Sequence, residues 1–235
     1  MDTVFVIPAH DEQAILEESV MRLHAWAKRR FRKSGFAIVI SENASSDGTP
    51  VVASRLAKTV PEAVFLGSDM PGKGGALKWG MSVLDARRYV MLDADMSVDL
   101  DSVGRMLDEA SGDALVIASR RAEGAEVDRP FFRKMVTAVY AGVLHAAFGF
   151  GIRDAQCGCK IIPRRIRDEV LPSVEDDGFF FDTELIVRAH GAGFVLREMP
   201  VRWTERGPGG RGSSVRVMRT SLDFMRRLSR LRRSL

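Results

Sequence analysis

Short apolar, β-branched runs alternate with stretches of helical periodicity through the first half of the chain. Val4-Phe5-Val6-Ile7 reads as a strand stopped at Pro8, and the spacing of Ile15, Leu16, Val20, Leu23, Ala27 and Phe31 predicts a helix after it. The strand pattern returns at Ala37–Ile40, Ala63–Leu66, Tyr89–Leu92 and Ala114–Ala118, with helices predicted between them over Pro50–Val60, Ala76–Ala86 and Asp101–Ala110. Such alternation implies an α/β fold with one mostly parallel sheet covered on both faces. Ligands of these sheets sit beyond the carboxyl ends of the strands. The polar clusters of this half all fall at those ends.

After residue 120 the pattern changes. Met135 to Phe150 is apolar except for Thr137, Tyr140 and His145. It is shorter than the roughly 20 residues a spanning helix needs, so a buried or interfacial helix is predicted. From Met218 to Leu235, Leu222, Met225, Leu228, Leu231 and Leu235 form one stripe and the arginines fall largely elsewhere. That is a basic amphipathic helix suited to a membrane surface, or an ordinary packed helix with a solvated face. The expected organisation is one domain over 1–205, followed by a basic loop and this helix over 206–235.

Composition narrows the class. The 235 residues suffice for one α/β core, and 21 Gly and 9 Pro exclude collagen-like and low-complexity chains. Two cysteines cannot frame a disulfide scaffold, and the chain opens directly on a strand, so a cytoplasmic protein is expected. The net charge of +4 conceals an asymmetry. From Arg202 to Leu235 there are 10 Arg and two acids, whereas the rest holds 25 Lys+Arg against 29 Asp+Glu. A mildly acidic body therefore carries a tail of net charge +8, which points to an anionic partner.

Asp93-Ala94-Asp95 is the sharpest chemical signal. Two carboxylates just past a buried strand suit Mg²⁺ or Mn²⁺ shared with a diphosphate, although a solvated acidic turn has the same spelling. Gly67 to Gly74 (GSDMPGKG) approaches a phosphate-binding loop but ends in Gly74, so the hydroxyl that would hold Mg²⁺ is missing. Lys73 at a helix start can still face an anion. Cys157 and Cys159 lack a second pair at zinc spacing and read as structural. Glu12, Asn43 and Asp47 end two successive strand loops and suit base or ribose recognition. Each by itself would be a helix cap or turn residue.

VIPAHDE (Val6–Glu12), SENASSDGT (Ser41–Thr49), GKGGALKWG (Gly72–Gly80), LDADMSVD (Leu92–Asp99), ASRR (Ala118–Arg121), DAQCGCK (Asp154–Lys160), FFFDTEL (Phe179–Leu185) and MPVRW (Met199–Trp203) follow one another in an order that carries a resemblance. The set resembles the inverting family 2 glycosyltransferases of the GT-A fold, the polyprenyl-phosphate (dolichyl-phosphate) glucosyl- and mannosyltransferases above all. The resemblance implies that Pro8, Ala9, Glu12, Asn43, Asp47, Lys73, Asp93, Ala94, Asp95 and Gln156 bind the nucleotide sugar, a UDP-sugar ahead of a GDP-sugar. It implies Asp95 and Asp93 as ligands of Mg²⁺ or Mn²⁺, and Asp95, Asp154, Arg120 and Arg133 as the catalytic set. Arg133, Arg202, Arg211 and Arg216 would face the acceptor phosphate, and Asp182-Thr183-Glu184 would support the sugar pocket.

The sequence departs from that pattern at Ser214, where a phosphate-binding Lys is usual, at Cys159 in place of Phe, and at Asp11 in place of Asn. It also lacks the spanning segments many relatives carry, so membrane contact would rest on the Met135–Phe150 helix, the tail or a separate anchoring subunit. The implied activity is sugar transfer to a polyprenyl phosphate by a protein peripheral to the cytoplasmic membrane face. The alternatives are a soluble glycosyltransferase acting on a hydroxyl, and a non-catalytic nucleotide- or nucleic-acid-binding module. Aromatics do not interleave the arginines of the tail, which disfavours a nucleic-acid partner.

Overall fold

The computed structural model describes residues 1–110, 112–128, 131–204 and 214–234, with side chains apart from those of 128, 131–133, 214–222 and 234. Seven strands make the main sheet: β1 (Thr3–Ala9), β2 (Phe36–Asn43), β3 (Ala63–Ser68), β4 (Arg88–Leu92), β5 (Leu115–Ser119), β7 (Cys159–Pro163) and β8 (Leu196–Pro200). Their order is β3-β2-β1-β4-β7-β5-β8. A separate parallel ribbon joins β6 (Glu126–Asp128) to β9 (Arg202–Thr204). The helices are α1 (Leu16–Arg30), α2 (Thr49–Thr59), α3 (Lys73–Ser82), α4 (Leu100–Glu109), α5 (Phe131–Phe148), α6 (Arg164–Glu169), α7 (Phe181–Gly191) and α8 (Ser214–Ser234).

The uninterrupted apolar runs of the strands follow from burial on both faces. Along β1, Val4 and Val6 belong to the core layer that also holds α3, α5, α7 and α8 residues, whereas Phe5 and Ile7 belong to the layer with α1, α2 and α4. All five strands expected from the pattern are present, within three residues at their ends. The single antiparallel strand, β7, enters between β4 and β5, so the sheet is mostly and not wholly parallel. Three helices differ in extent, α8 starting at Ser214 instead of Met218. Helix α3 begins at Lys73 and stops at Ser82, whose hydroxyl donates back to the Trp79 carbonyl at 2.7 Å. Helix α5 begins at Phe131.

The direction of the chain across the sheet creates the cleft. From β1 the chain runs outward to β2 and β3, then crosses back to place β4 on the other side of β1. The carboxyl ends of β1 and β4 therefore flank a topological switch point, where open α/β sheets bind ligands. Pairing of β1 with β4 ends at Val6–Met91, while pairing with β2 continues to Ala9–Glu42. Pro8 has no N–H to extend a ladder, and the two strands diverge into the cleft.

Helix α8 revises the expected apolar stripe. Phe224, Leu228 and Leu231 are the buried residues, Met225 is about half exposed, and Leu222 and Leu235 lie outside the described side chains. Phe224 meets the rings of Tyr140 and Phe180, and Arg226, Arg230, Arg232 and Arg233 face outward. Among the described side chains of this helix the apolar ones are thus largely spent on the protein's own core, and the outward arginines make the exposed face cationic. The expected boundary at 205/206 lies outside the described residues. Leu228→Ala should cost about 2–5 kcal/mol in urea unfolding, as for other buried leucines. A loss below about 0.5 kcal/mol would place this helix off the core.

Candidate active site

The cleft encloses about 480 Å³ and is walled by four strand or helix ends and one loop. Pro8, His10 and Glu12 come from the end of β1, Asn43 from β2, Gly72 and Lys73 from the start of α3, and Asp93, Ala94 and Asp95 from β4. Phe179, in the loop before α7, completes the lining. Of the residues expected to bind a nucleotide sugar, the structure brings Pro8, Glu12, Asn43, Lys73, Asp93, Ala94 and Asp95 into this one lining. His10, Pro71, Gly72 and Phe179 join them without having been singled out for a site.

Several polar groups at the rim are scaffolding. The Asn43 amide, oriented to satisfy both ends, donates to the Ala9 carbonyl at 2.8 Å and accepts from the Gly72 N–H at 3.0 Å. It thereby ties β1 to the start of α3. The Asn43 carbonyl accepts from His10 Nδ1 at 2.7 Å. A carbonyl can only accept, so Nδ1 carries a proton. Asp47 takes no part in the lining. Its carboxylate accepts from the Thr49 N–H at 2.9 Å and the Gln13 N–H at 3.1 Å, the turn-stabilising role common for Asp at a loop end.

The D-A-D pair divides its partners. Asp93 Oδ1 lies 2.7 Å from Lys73 Nζ. Its other oxygen rests against Gly158, where an added Cβ would stand only 1.6 Å away. The glycine between the two cysteines is what admits this carboxylate. Asp95 accepts from the Ser97 N–H at 2.9 Å and the Ser97 hydroxyl at 2.7 Å. Met96, beyond the pair, has φ 48°, a left-handed conformation that a non-glycine residue adopts at some cost. Gly72, with φ 147°, lets α3 start against the Asp177 carbonyl, which a Cβ would approach to 2.4 Å.

Negative charge is in excess. Burial and the neighbouring Asp93 carboxylate push Asp95 upward, against the Ser97 hydrogen bonds. Burial, aided by Asp95, Asp93 and Asp47, pushes Glu12 up to about 7. Lys73 is the counter-charge: burial opposes its charge, but Asp182 and Asp93 outweigh burial and raise it. Among the described residues no three His, Cys, Asp or Glu side chains form a protein-only metal cage. The donor set still fits Mg²⁺ or Mn²⁺, which need one or two carboxylates and take remaining ligands from water and substrate phosphate. A cation entering here would relieve the crowding of Glu12, Asp93 and Asp95.

The raised Glu12 has a stability consequence. Between about pH 4.5 and 7 the folded metal-free protein holds this proton more firmly than the unfolded chain does, so stability falls as pH rises through that window. Glu12→Gln removes the penalty. In chelator, the variant should gain melting temperature over the parent at about pH 8 relative to about pH 5. An equal difference at both pH values would refute the assignment.

Asp154, Arg120 and Gln156 are not brought into the cleft lining. Asp154 is fully buried and paired bidentately with Arg120, at 2.7 Å to Nε and 2.8 Å to Nη2, and it also accepts from the Arg120 backbone N–H at 3.0 Å. The guanidinium lies over the Trp203 ring at 5.6 Å. Gln156 donates to the Thr183 hydroxyl at 2.8 Å, which in turn meets the Tyr140 hydroxyl at 2.7 Å. Arg202 is engaged at the surface with Glu126 at 2.8 Å. The side chains of Arg133 and Arg216, and the whole of Arg211, lie outside the described residues.

Residues 4–171 match the family model Glycosyl transferase family 2. Glycosyltransferase AglD of Haloferax volcanii is 30% identical over 205 residues, covering 86% of this chain and 33% of its own length. A dolichyl-phosphate beta-glucosyltransferase of Trichomonas vaginalis is 28% identical over 217 residues, covering 87% of this chain and 64% of its own. Polyprenol monophosphomannose synthase of Mycolicibacterium smegmatis is 30% identical over 220 residues, 88% of this chain and 79% of its own. The chain thus spans a third of the first of these relatives and just under two thirds of the second. Among solved structures, glucosyl-3-phosphoglycerate synthase from Mycobacterium tuberculosis, crystallised with Mn²⁺, UDP and phosphoglyceric acid, shares the fold. Its TM-score is 0.70 at 17% identity over 98% of this chain and 78% of that one. Because the matched segment runs from β1 past β7 and carries every wall of the cleft except Phe179, the chain belongs to glycosyl transferase family 2.

Proposed function

We propose that this chain moves a sugar, with inversion, from a nucleotide sugar to a polyprenyl phosphate at the cytoplasmic face of a membrane, with Mg²⁺ or Mn²⁺ and with a UDP-sugar as donor. The observation that carries the reading is the meeting of Glu12, Lys73, Asp93 and Asp95 in one cleft at the switch point of the sheet. The names of the relatives from Trichomonas vaginalis and Mycolicibacterium smegmatis support the acceptor class.

An acceptor phosphate has a second pKa of about 6, so its oxygen is already an anion near neutral pH. That oxygen bonds to the anomeric carbon while the bond from this carbon to the donor phosphate breaks, its electron pair leaving on the nucleoside diphosphate. No proton has to move. The protein's work is alignment and charge neutralisation. Lys73 would meet the departing diphosphate, and the metal held by Asp95 and Asp93 would supply the remaining positive charge.

Transfer to a hydroxyl is the second reading, and it would need a carboxylate base. Asp154, the residue expected for that duty, is buried and committed to Arg120, which favours the phosphate acceptor. Among the described residues no helix is long and apolar enough to cross a membrane. Contact with the bilayer would then rest on the outward arginines of α8, on the exposed Met135 and Val139 of α5, or on a separate anchoring subunit.

Purified protein incubated with polyprenyl phosphate, a panel of UDP- and GDP-sugars, and either metal should form glycolipid with a UDP-sugar and none in chelator. Transfer to hydroxyl acceptors with none to lipid phosphate would favour the second reading. Failure to bind any nucleotide sugar would sink both.

A further inference from the structure

Four charges of alternating sign run from the core to the cleft, and sugar transfer as described uses only the outer two. Lys160, on β7, is fully buried. Its ammonium donates to the Cys157 carbonyl at 2.9 Å and to one oxygen of Asp182, in the first turn of α7. The other Asp182 oxygen lies 3.5 Å from Lys73 Nζ, and Lys73 reaches Asp93 at 2.7 Å. Asp182 is itself buried.

A buried ion pair is seldom the most stable filling for a core, since well-packed apolar residues of similar volume often do as well or better. What this pair does provide is direction. Lys160 fixes Asp182, and Asp182 gives the flexible Lys73 stem a second anchor besides Asp93. The two anchors come from different elements, β4 and α7. Helix α3, which carries Lys73, lies against α7 where Gly74 packs on Phe181, an approach a Cβ would bring to 2.7 Å.

We propose that Lys160 and Asp182 are positioning residues for sugar transfer, holding Lys73 beside Asp93 as a resident cation already aimed at the place the donor diphosphate will occupy. The two carboxylates of the D-A-D pair then have different duties. Asp93 gives one oxygen to Lys73 and is the lesser metal ligand, and Asp95, hydrogen-bonded to Ser97, is the principal oxygen donor to a divalent ion. The proposal rests on the reading of the cleft as the donor site.

The test reads the ammonium groups directly. Nitrogen-15 correlation spectra of lysine Nζ detect ammonium groups that exchange slowly because they are held, and Lys73→Arg and Lys160→Arg assign them among the seven lysines. Slow signals are expected for both Lys73 and Lys160 in the wild-type protein. Adding Mg²⁺ with UDP should shift the Lys73 signal and leave that of Lys160 nearly unmoved. The charge-balanced pair Lys160→Met with Asp182→Asn should lose the slow Lys73 signal. It should also lower kcat by about tenfold, with KM for the donor changed by less than about threefold, the pattern of an interaction made in the transition state.

Calorimetry on wild-type protein separates the two levels. No binding of UDP or GDP with metal sinks the donor reading. Binding that leaves the Lys73 signal unmoved, or a Lys73 signal that exchanges fast from the outset, overturns the positioning role alone. The wild-type spectra decide this even if the double variant does not fold. A folded double variant with unchanged kcat also overturns it.

Discussion

Asp95→Ala is expected to reduce sugar transfer by at least about a thousandfold while leaving the protein folded. The carboxylate stands at the mouth of the sheet, hydrogen-bonded to Ser97, and burial with Asp93 nearby already makes its charge costly. Removing it forfeits two hydrogen bonds but relieves that crowding, so the melting temperature should move by no more than a few degrees. The loss belongs instead to the transition state, where a metal held by Asp95 would offset the charge gathering on the diphosphate. Kinetics at saturating donor and metal, with thermal unfolding as control, measure both. Activity within about tenfold of the parent would remove Asp95 from the metal role.

Asp154→Ala is expected to act first on the fold. The change would leave Arg120, itself largely buried, without its bidentate partner. Breaking one half of a buried pair typically costs about 3–5 kcal/mol, because an uncompensated charge remains inside. At about 2–4 °C per kcal/mol for a chain of this size, the melting temperature should fall by roughly 6–20 °C. Replacing both partners, as in Arg120→Met with Asp154→Leu, should recover much of that loss. If Asp154→Ala kept its stability and lost only transfer to hydroxyl acceptors, Asp154 would regain the role of base.

These two aspartates mark how far sequence reasoning reaches. Asp93 and Asp95 stand directly after an apolar strand, and a strand end in an alternating α/β pattern has a known place in the fold, so their exposure to a ligand was legible. Asp154 carries no such signal. It precedes β7, the one antiparallel strand, and nothing in its neighbours reveals that Arg120, 34 residues earlier, will close on it. Asp47 shows the opposite limit: it sits at a strand end like the others, yet Thr49 two residues on and Gln13 across the turn claim its oxygens. A local competitor two residues away is visible in principle; which of two local roles wins depends on where the neighbouring loop lies.

The same contrast holds for the charged tail. Its ten arginines and its helical stripe are properties of composition and period, and they required no fold to read. Whether the stripe meets lipid or protein depends on where α8 lies, and it lies with Phe224, Leu228 and Leu231 against the core below Phe180.

The sequence by itself determined five parallel strands of the sheet, since period-two and period-3.6 patterns are set residue by residue, and it determined the family, since that is carried by short motifs at strand ends. Only the tertiary structure decided which charges stand free in the cleft and which are spent on one another. A carboxylate's partner is chosen by distance in space, and Lys160, Asp182, Lys73 and Asp93 come from four separate elements that only the folded sheet and its helices bring within reach.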